Sequence, residues 1–362
     1  MLPTSDRLLL GPGPSPVSAR VMASLSTPMR SHLDPELLAV MDDLRARLAA
    51  AFHAPDGSFC FAVSGTGSSG METVVANLTE PGKRAVAVVN GYFGDRLASM
   101  LTRYGATVTR VEGEWGKSID PAAVERAIAA GPCDLVAVVH AETSTGVRNP
   151  VESIAAIAKA HDALTIVDAV TSLGAMPLDL SASGLDAVYS CSQKGLGAPS
   201  GLAPVAFTPR ALARKVACRS FYFDLALLED YWVRRKYHHT ISAPLIFALH
   251  TALAEVASEG LPSRWQRHES VHRGLVDSLA RMNLSLLPAE GDRLWSLNAV
   301  RVPDGTDEAA VRKHLLQHHH IEIGAGLGPL AGKIWRIGLM GSGATMENVA
   351  RVTAALADAR KH

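Results

Sequence analysis

The sequence predicts an α/β protein, a large domain built on a mostly parallel central sheet and followed by a smaller C-terminal α+β domain. Three observations carry this. From about residue 59 to 208 one alternation repeats, a short apolar run, a turn and a helix-like segment. Several of the runs are apolar at almost every position, as strands covered on both faces require. After about residue 244 the pattern changes to long amphipathic segments and then to alternating strands and helices.

Taken in order, the expected strands of the large domain are Phe59 to Val63, Ala85 to Val89, Leu135 to Val139, Leu164 to Val167, Ala187 to Tyr189 and Pro204 to Phe207. Helices are expected over Met71 to Leu78 and over Val151 to Ala160, the second entered through Asn149-Pro150. In the small domain Pro244 to Ser258 and Ser263 to Arg281 read as helices. Trp295 to Val302 then reads as a strand, Glu308 to His318 as a helix, Ile334 to Ile337 as a strand and Thr345 to Ala357 as a helix. The expected division is an arm over 1–17, a large domain over 18–243 and a small domain over 244–362. No linker rich in Pro, Gly or Ser separates the last two, so close packing is expected.

The chain has 362 residues, room for two or three domains at roughly 100 to 200 residues each. Lys plus Arg and Asp plus Glu both count 35, which gives no electrostatic case for nucleic acid or an anionic membrane as partner. With 48% hydrophobic and 19% charged residues, disorder is excluded as the main state. No stretch approaches the length of about 18 apolar residues that a membrane span needs. Four scattered cysteines, Cys60, Cys133, Cys191 and Cys218, form no C-x-x-C pair, and neither end carries a targeting signal. A reduced, cytoplasmic protein is expected.

Ser64-Gly65-Thr66-Gly67-Ser68-Ser69-Gly70 joins the first strand to a helix expected to start near Met71. Its glycines let the backbone approach a ligand, and the helix N-terminus offers free N–H groups, so an anionic group, phosphate above all, suits it. The same stretch fits the dinucleotide fingerprint G-x-G-x-x-G. That reading needs an acid at the end of the next strand to hold a ribose, and the strand ends Val89-Asn90-Gly91. A single phosphate is the better match.

Leu164 to Val167 runs into Asp168, and the run from Ala187 leads to Ser192-Gln193-Lys194-Gly195. In open α/β sheets ligands gather at the carboxyl ends of strands, so both side chains are placed to meet one ligand. Alone, an aspartate caps a turn and a lysine is a solvated charge. Together with a phosphate loop they meet three demands of one cofactor: an anion cradle, a carboxylate for a protonated ring nitrogen, and an amine for a Schiff base, which is the pattern of a pyridoxal phosphate enzyme.

Further motifs stand in sequence around these. They are Leu8-Leu9-Leu10-Gly11-Pro12-Gly13-Pro14-Ser15, Asn90-Gly91-Tyr92-Phe93-Gly94, His140-Ala141-Glu142-Thr143-Ser144-Thr145-Gly146, Asp168-Ala169-Val170-Thr171-Ser172-Leu173-Gly174, Tyr237-His238-His239-Thr240 and Arg336-Ile337-Gly338-Leu339-Met340-Gly341. Over nearly the whole chain the series resembles the class V, fold type I aminotransferases, most closely the alanine–glyoxylate and serine–glyoxylate branch. The resemblance implies pyridoxal 5'-phosphate as cofactor, Lys194 as the Schiff-base lysine and Asp168 as partner of the ring nitrogen. It implies phosphate contacts from Thr66, Gly67, Ser68 and Gln193, a stacking ring at Phe93, Val170 on the other ring face, and Ser144 at the ring hydroxyl. Arg336 would bind the substrate carboxylate, approached also by the backbone at Gly13. Tyr237 and Thr240 would reach the phosphate of a neighbouring subunit, making a homodimer with shared sites.

The implied reaction is a ping-pong transamination from a small amino acid, alanine or serine, to a small 2-oxo acid, glyoxylate or pyruvate. Aminoethylphosphonate, ureidoglycine or pyridoxamine as donor, or a lyase of the same fold, are the alternatives. A desulfurase would need a cysteine in the small domain, and the last one here is Cys218. Two departures stand out, Cys191 where relatives often carry glycine and Ser68 where some carry histidine. No metal is called for. His238 and His239 are expected to point apart, and the run His318 to His320, though it has a metal tract's composition, is read as closing a helix at its negative end.

Overall fold

The computed structural model describes residues 6–361; residues 1–5 of the expected arm and His362 of the small domain lie outside the described residues. A seven-stranded sheet forms the centre. Its order is Phe59–Gly65, Gly201–Phe207, Ala187–Tyr189, Leu164–Asp168, Leu135–Val139, Arg84–Val89 and Thr107–Glu112. Only Gly201–Phe207 runs antiparallel to its neighbours. Helices lie between the parallel strands as crossovers, whereas residues 190–200 hold no helix, so the chain returns beside the strand it has left. In the register, Val139 pairs with Asp168 and Asp168 with Tyr189, which brings three strand ends level at one edge.

Every expected strand and helix is present, with ends displaced by a few residues. The displacement that matters is at the glycine-rich turn: the helix spans Gly67–Leu78, starting four residues before Met71, because Ser69 and Gly70 already donate to the Thr66 carbonyl. Gly67 and Ser68 therefore sit in the first turn, where N–H groups lack intrahelical acceptors. Several elements go beyond the expected set, among them three in or beside the central sheet. Pro35–Phe52 is a helix capped by Asp34, which accepts from Glu36 N at 2.8 Å, and it buries Leu37, Met41, Leu44, Leu48 and Phe52 along one stripe. Tyr92–Arg103 is a helix, and Thr107–Glu112 is the edge strand, with Val111 its one buried side chain.

Two cores result. The first holds the sheet and its helices and includes Ile246, Leu249, Leu253 and Val256 of the Ala243–Glu259 helix. The second runs from Val271 to Ala359, around the three-stranded sheet of Leu297–Arg301, Ile334–Gly338 and Gly324–Ala325. The N-terminal segment belongs to the second core: Leu8–Leu9 pairs in parallel with Ile321–Glu322, and Leu10 is fully buried there. It then leads on to the central sheet, where Ser15 N donates to Gln193 O at 2.8 Å and Ser15 Oγ to Lys194 O at 2.9 Å. Among the described residues no helix is long and apolar enough to cross a membrane, and all four cysteines are free.

Candidate active site

A cavity of about 240 Å³ opens at the level strand ends. Thr66, Gly67, Ser68, Phe93, Asp168, Val170, Gln193 and Lys194, eight residues singled out in the sequence, all line it. Gly67 is there for close approach: a Cβ would lie 2.8 Å from Val170 Cγ2, so any larger residue displaces the valine.

Asp168 is buried at the end of its strand. Its Oδ1 accepts from Val170 N and its Oδ2 from the Tyr189 hydroxyl, both at 2.8 Å. Burial pushes its carboxyl up to about 7, opposed by those two donors. Both partners are neutral, so the carboxylate still lacks the cation that would make its ionised form comfortable. Lys194 is enclosed and its Nζ donates to the Pro12 carbonyl. Burial is the main cause of its lowered proton affinity, and Arg336 acts in the same direction. Gly13 covers it, at φ +111°, where a Cβ would come within 2.5 Å of Lys194 Cδ.

Arg336 is buried beside this cavity, donating from Nε to Ala325 O at 2.6 Å and from Nη1 to Thr143 O at 3.3 Å. Burial lowers its guanidinium to about 10, partly offset by Glu142, which leaves it charged at neutral pH.

The structure corrects the placement of Ser144. Its hydroxyl does not line the cavity; it accepts from Tyr92 N at 2.9 Å and donates to Glu142 Oε1 at 2.5 Å. Thr143, one residue earlier, lines the cavity instead. Glu142 is fully buried and takes four hydrogen bonds, from Phe93 N, Gly94 N, Ser144 N and Ser144 Oγ, and so anchors the start of the Tyr92–Arg103 helix that presents Phe93. Sequence reasoning also missed Arg96. It lines the cavity, donates to Ser68 Oγ at 3.0 Å, and stands with its guanidinium carbon 5.2 Å from the Phe93 ring centroid. Its signal was the spacing: three residues after Phe93 on a helix is the same face.

Tyr237 and Thr240 are not brought to this cavity. They lie in the connection between Leu225–Trp232 and Ala243–Glu259, Tyr237 being 62% exposed and Thr240 exposed. Nor do His238 and His239 point apart: their Nδ1 atoms come within 2.8 Å, and His239 Nε2 lies 3.0 Å from Ser64 Oγ. Cys191 is buried, and burial pushes its thiol up to about 12, so the residue is an unreactive filler there.

Over residues 17–351 the sequence matches the family described as aminotransferase class-V. The chain belongs to that family. The solved alanine–glyoxylate aminotransferase from Nostoc sp. superposes on this aminotransferase with a TM-score of 0.97 at 41% identity, covering 99% of this chain and 96% of that one. An alanine–glyoxylate aminotransferase of Oryctolagus cuniculus is 37% identical over 99% of this chain and 94% of its own length. An (S)-ureidoglycine–glyoxylate transaminase of Bacillus subtilis is 35% identical over 98% of this chain and 90% of its own.

Class V aminotransferases of this fold depend on pyridoxal phosphate, and the residues present fit that group. Gln193 lines the cavity, its side-chain N–H group able to donate to a phosphate oxygen. Thr66 caps the Gly67–Leu78 helix without a side-chain bond, leaving the first N–H groups free for an anion. Asp168 awaits a cation and Lys194 is placed to serve as the amine.

Proposed function

We propose that this aminotransferase moves an amino group from a small amino acid, alanine or serine, to a small 2-oxo acid, glyoxylate or pyruvate, in a ping-pong cycle. The observation that carries the reading is the gathering of Asp168, Lys194 and the Gly67–Ser68 turn about one cavity, with Arg336 buried beside it on the Thr143 carbonyl. The names of the alanine–glyoxylate relatives support the same choice.

When bound, pyridoxal phosphate supplies an electron sink for charge developing at the substrate Cα. Asp168 pairs with a protonated ring nitrogen, which satisfies its buried carboxylate and keeps that proton in place. Thr66, Gly67, Ser68 and Gln193 hold the phosphate, joined by Arg96. Phe93 and Val170 bracket the ring, and the ring hydroxyl falls to Thr143 rather than to Ser144. Arg336 grips the substrate carboxylate with its planar fork, beside the backbone at Gly13, and so fixes Cα near Lys194. Lys194, its proton affinity lowered by enclosure, takes the Cα proton in one half-reaction and returns one in the other.

Tyr237 and Thr240 act on the neighbouring subunit's phosphate, so the active unit is a homodimer; their exposure on this chain supports that reading. The four free cysteines support a cytoplasmic setting. We place the arm at residues 1–17, the large domain over 18–243 and the small domain over 244–362, whose Ala243–Glu259 helix packs into the first core.

The test is a donor panel of alanine, serine, ureidoglycine, aminoethylphosphonate and pyridoxamine against glyoxylate and pyruvate. The expected result is the highest kcat/KM for alanine or serine. A higher value for any other donor overturns the substrate assignment.

A further inference from the structure

We propose that His314, His319 and Asp358 form a binding site for a zinc-like divalent cation, on the second core and apart from the cavity of Lys194. The inference does not rest on the substrate reading above. His314 lies in the Glu308–His318 helix, His319 is the C-cap of that helix, and Asp358 lies in the last turn of Met346–Ala359, which packs against it. His314 Nε2 stands 3.1 Å and His319 Nε2 3.0 Å from one and the same oxygen, Oδ2 of Asp358. The three candidate ligand atoms all lie within 4.8 Å of one another.

A tetrahedral ion with bonds of about 2.0 to 2.2 Å holds its ligand atoms about 3.3 Å apart. Two of the three edges already have that length to within a few tenths of an ångström, and the third, between the two imidazoles, is no more than 4.8 Å. Two imidazoles and a carboxylate suit zinc and its transition-metal neighbours, whereas magnesium and calcium call for more oxygen ligands. Binding needs neutral imidazoles, each with its Nε2 lone pair turned to the ion and its proton on Nδ1. The side chains are 18%, 30% and 41% exposed for His314, His319 and Asp358, so a fourth position opens to water. The His318 ring, 4.4 Å from that of His314, limits its rotation. The site would clasp two helices together, a role distinct from catalysis.

The experiment is calorimetric titration of zinc chloride into the cofactor-loaded, tag-free enzyme at neutral pH, with His319→Gln and Asp358→Asn alongside. Expected are one micromolar equivalent per chain, at least tenfold weaker binding in both variants, a zinc-dependent rise in melting temperature confined to the wild type, and unchanged turnover in His319→Gln. Absence of micromolar binding reduces the cluster to two histidine–aspartate hydrogen bonds and overturns the proposal. Equal uptake by both variants places the ion elsewhere and overturns it as well.

Discussion

Tyr189 donates its hydroxyl to Oδ2 of Asp168 at 2.8 Å, from the adjacent strand and in register with it. Tyr189→Phe removes one of the two donors that restrain the carboxyl's proton affinity. Losing a hydrogen bond to a buried group costs about 1 to 3 kcal/mol. We expect denaturant unfolding of the cofactor-free variant to show that loss, and cofactor titration to show weaker binding.

Asp168 also makes stability depend on pH. Its folded value of about 7 lies above the ordinary 3.8. Below 3.8 both states are protonated and the group contributes nothing. Between 3.8 and 7 the unfolded chain ionises first, so stability falls as pH rises, and above 7 the loss is complete. Cofactor-free Asp168→Asn should therefore gain on the wild type in urea midpoint as pH rises from 5 to 8. A gap that shrinks over that range would contradict this.

On the proposed mechanism, Lys194→Ala removes both the amine that joins the cofactor and the base at Cα. We expect the visible absorbance of the lysine-linked cofactor to vanish and kcat to fall by a factor of about 10³ or more. Added primary amines of small size should restore part of the rate.

Arg96→Gln keeps a hydrogen-bonding side chain and deletes the charge. A charge-assisted hydrogen bond contributes about 1.5 to 3 kcal/mol, so cofactor affinity should drop roughly 10- to 150-fold, with kcat at saturating cofactor little changed. An unchanged dissociation constant would remove Arg96 from the phosphate site.

Shared sites are tested by mixing. Lys194→Ala subunits keep Tyr237 and Thr240, while Tyr237→Ala/Thr240→Ala subunits keep Lys194. Unfolding and refolding the two together should recover activity that neither shows alone, and sedimentation should report a dimer. No recovery from hybrid dimers would confine each site to one chain.

The sequence made the central strands and the meeting of Asp168 and Lys194 at one cavity legible because both depend on local signals: continuous apolar runs, and these two residues after their ends. Thr107–Glu112 escaped because this edge strand buries only Val111 and so shows no apolar run, unlike Phe59–Gly65 at the opposite edge. Arg96 and Glu142 escaped for another reason. Each acts through a fold-level contact, Arg96 across a cavity to Ser68 and Glu142 under a helix start, and a carboxylate inside a motif does not announce which backbone it will hold. Ser144 was misplaced by one residue, since neighbouring hydroxyls in Thr143-Ser144-Thr145 look alike until the turn decides which faces the cavity.

The N-terminal segment sets an order of events during synthesis. Leu8–Leu9 finds its strand partner only at Ile321–Glu322, more than 300 residues later in the chain. Until the ribosome has made that partner, Leu10 has no core to enter, and Pro12 and Gly13 are tied to Lys194 from one side only, through Ser15 on Gln193 and Lys194. Residues 8–10 are thus among the last to settle, and the cover over Lys194 is complete only after residue 322 exists.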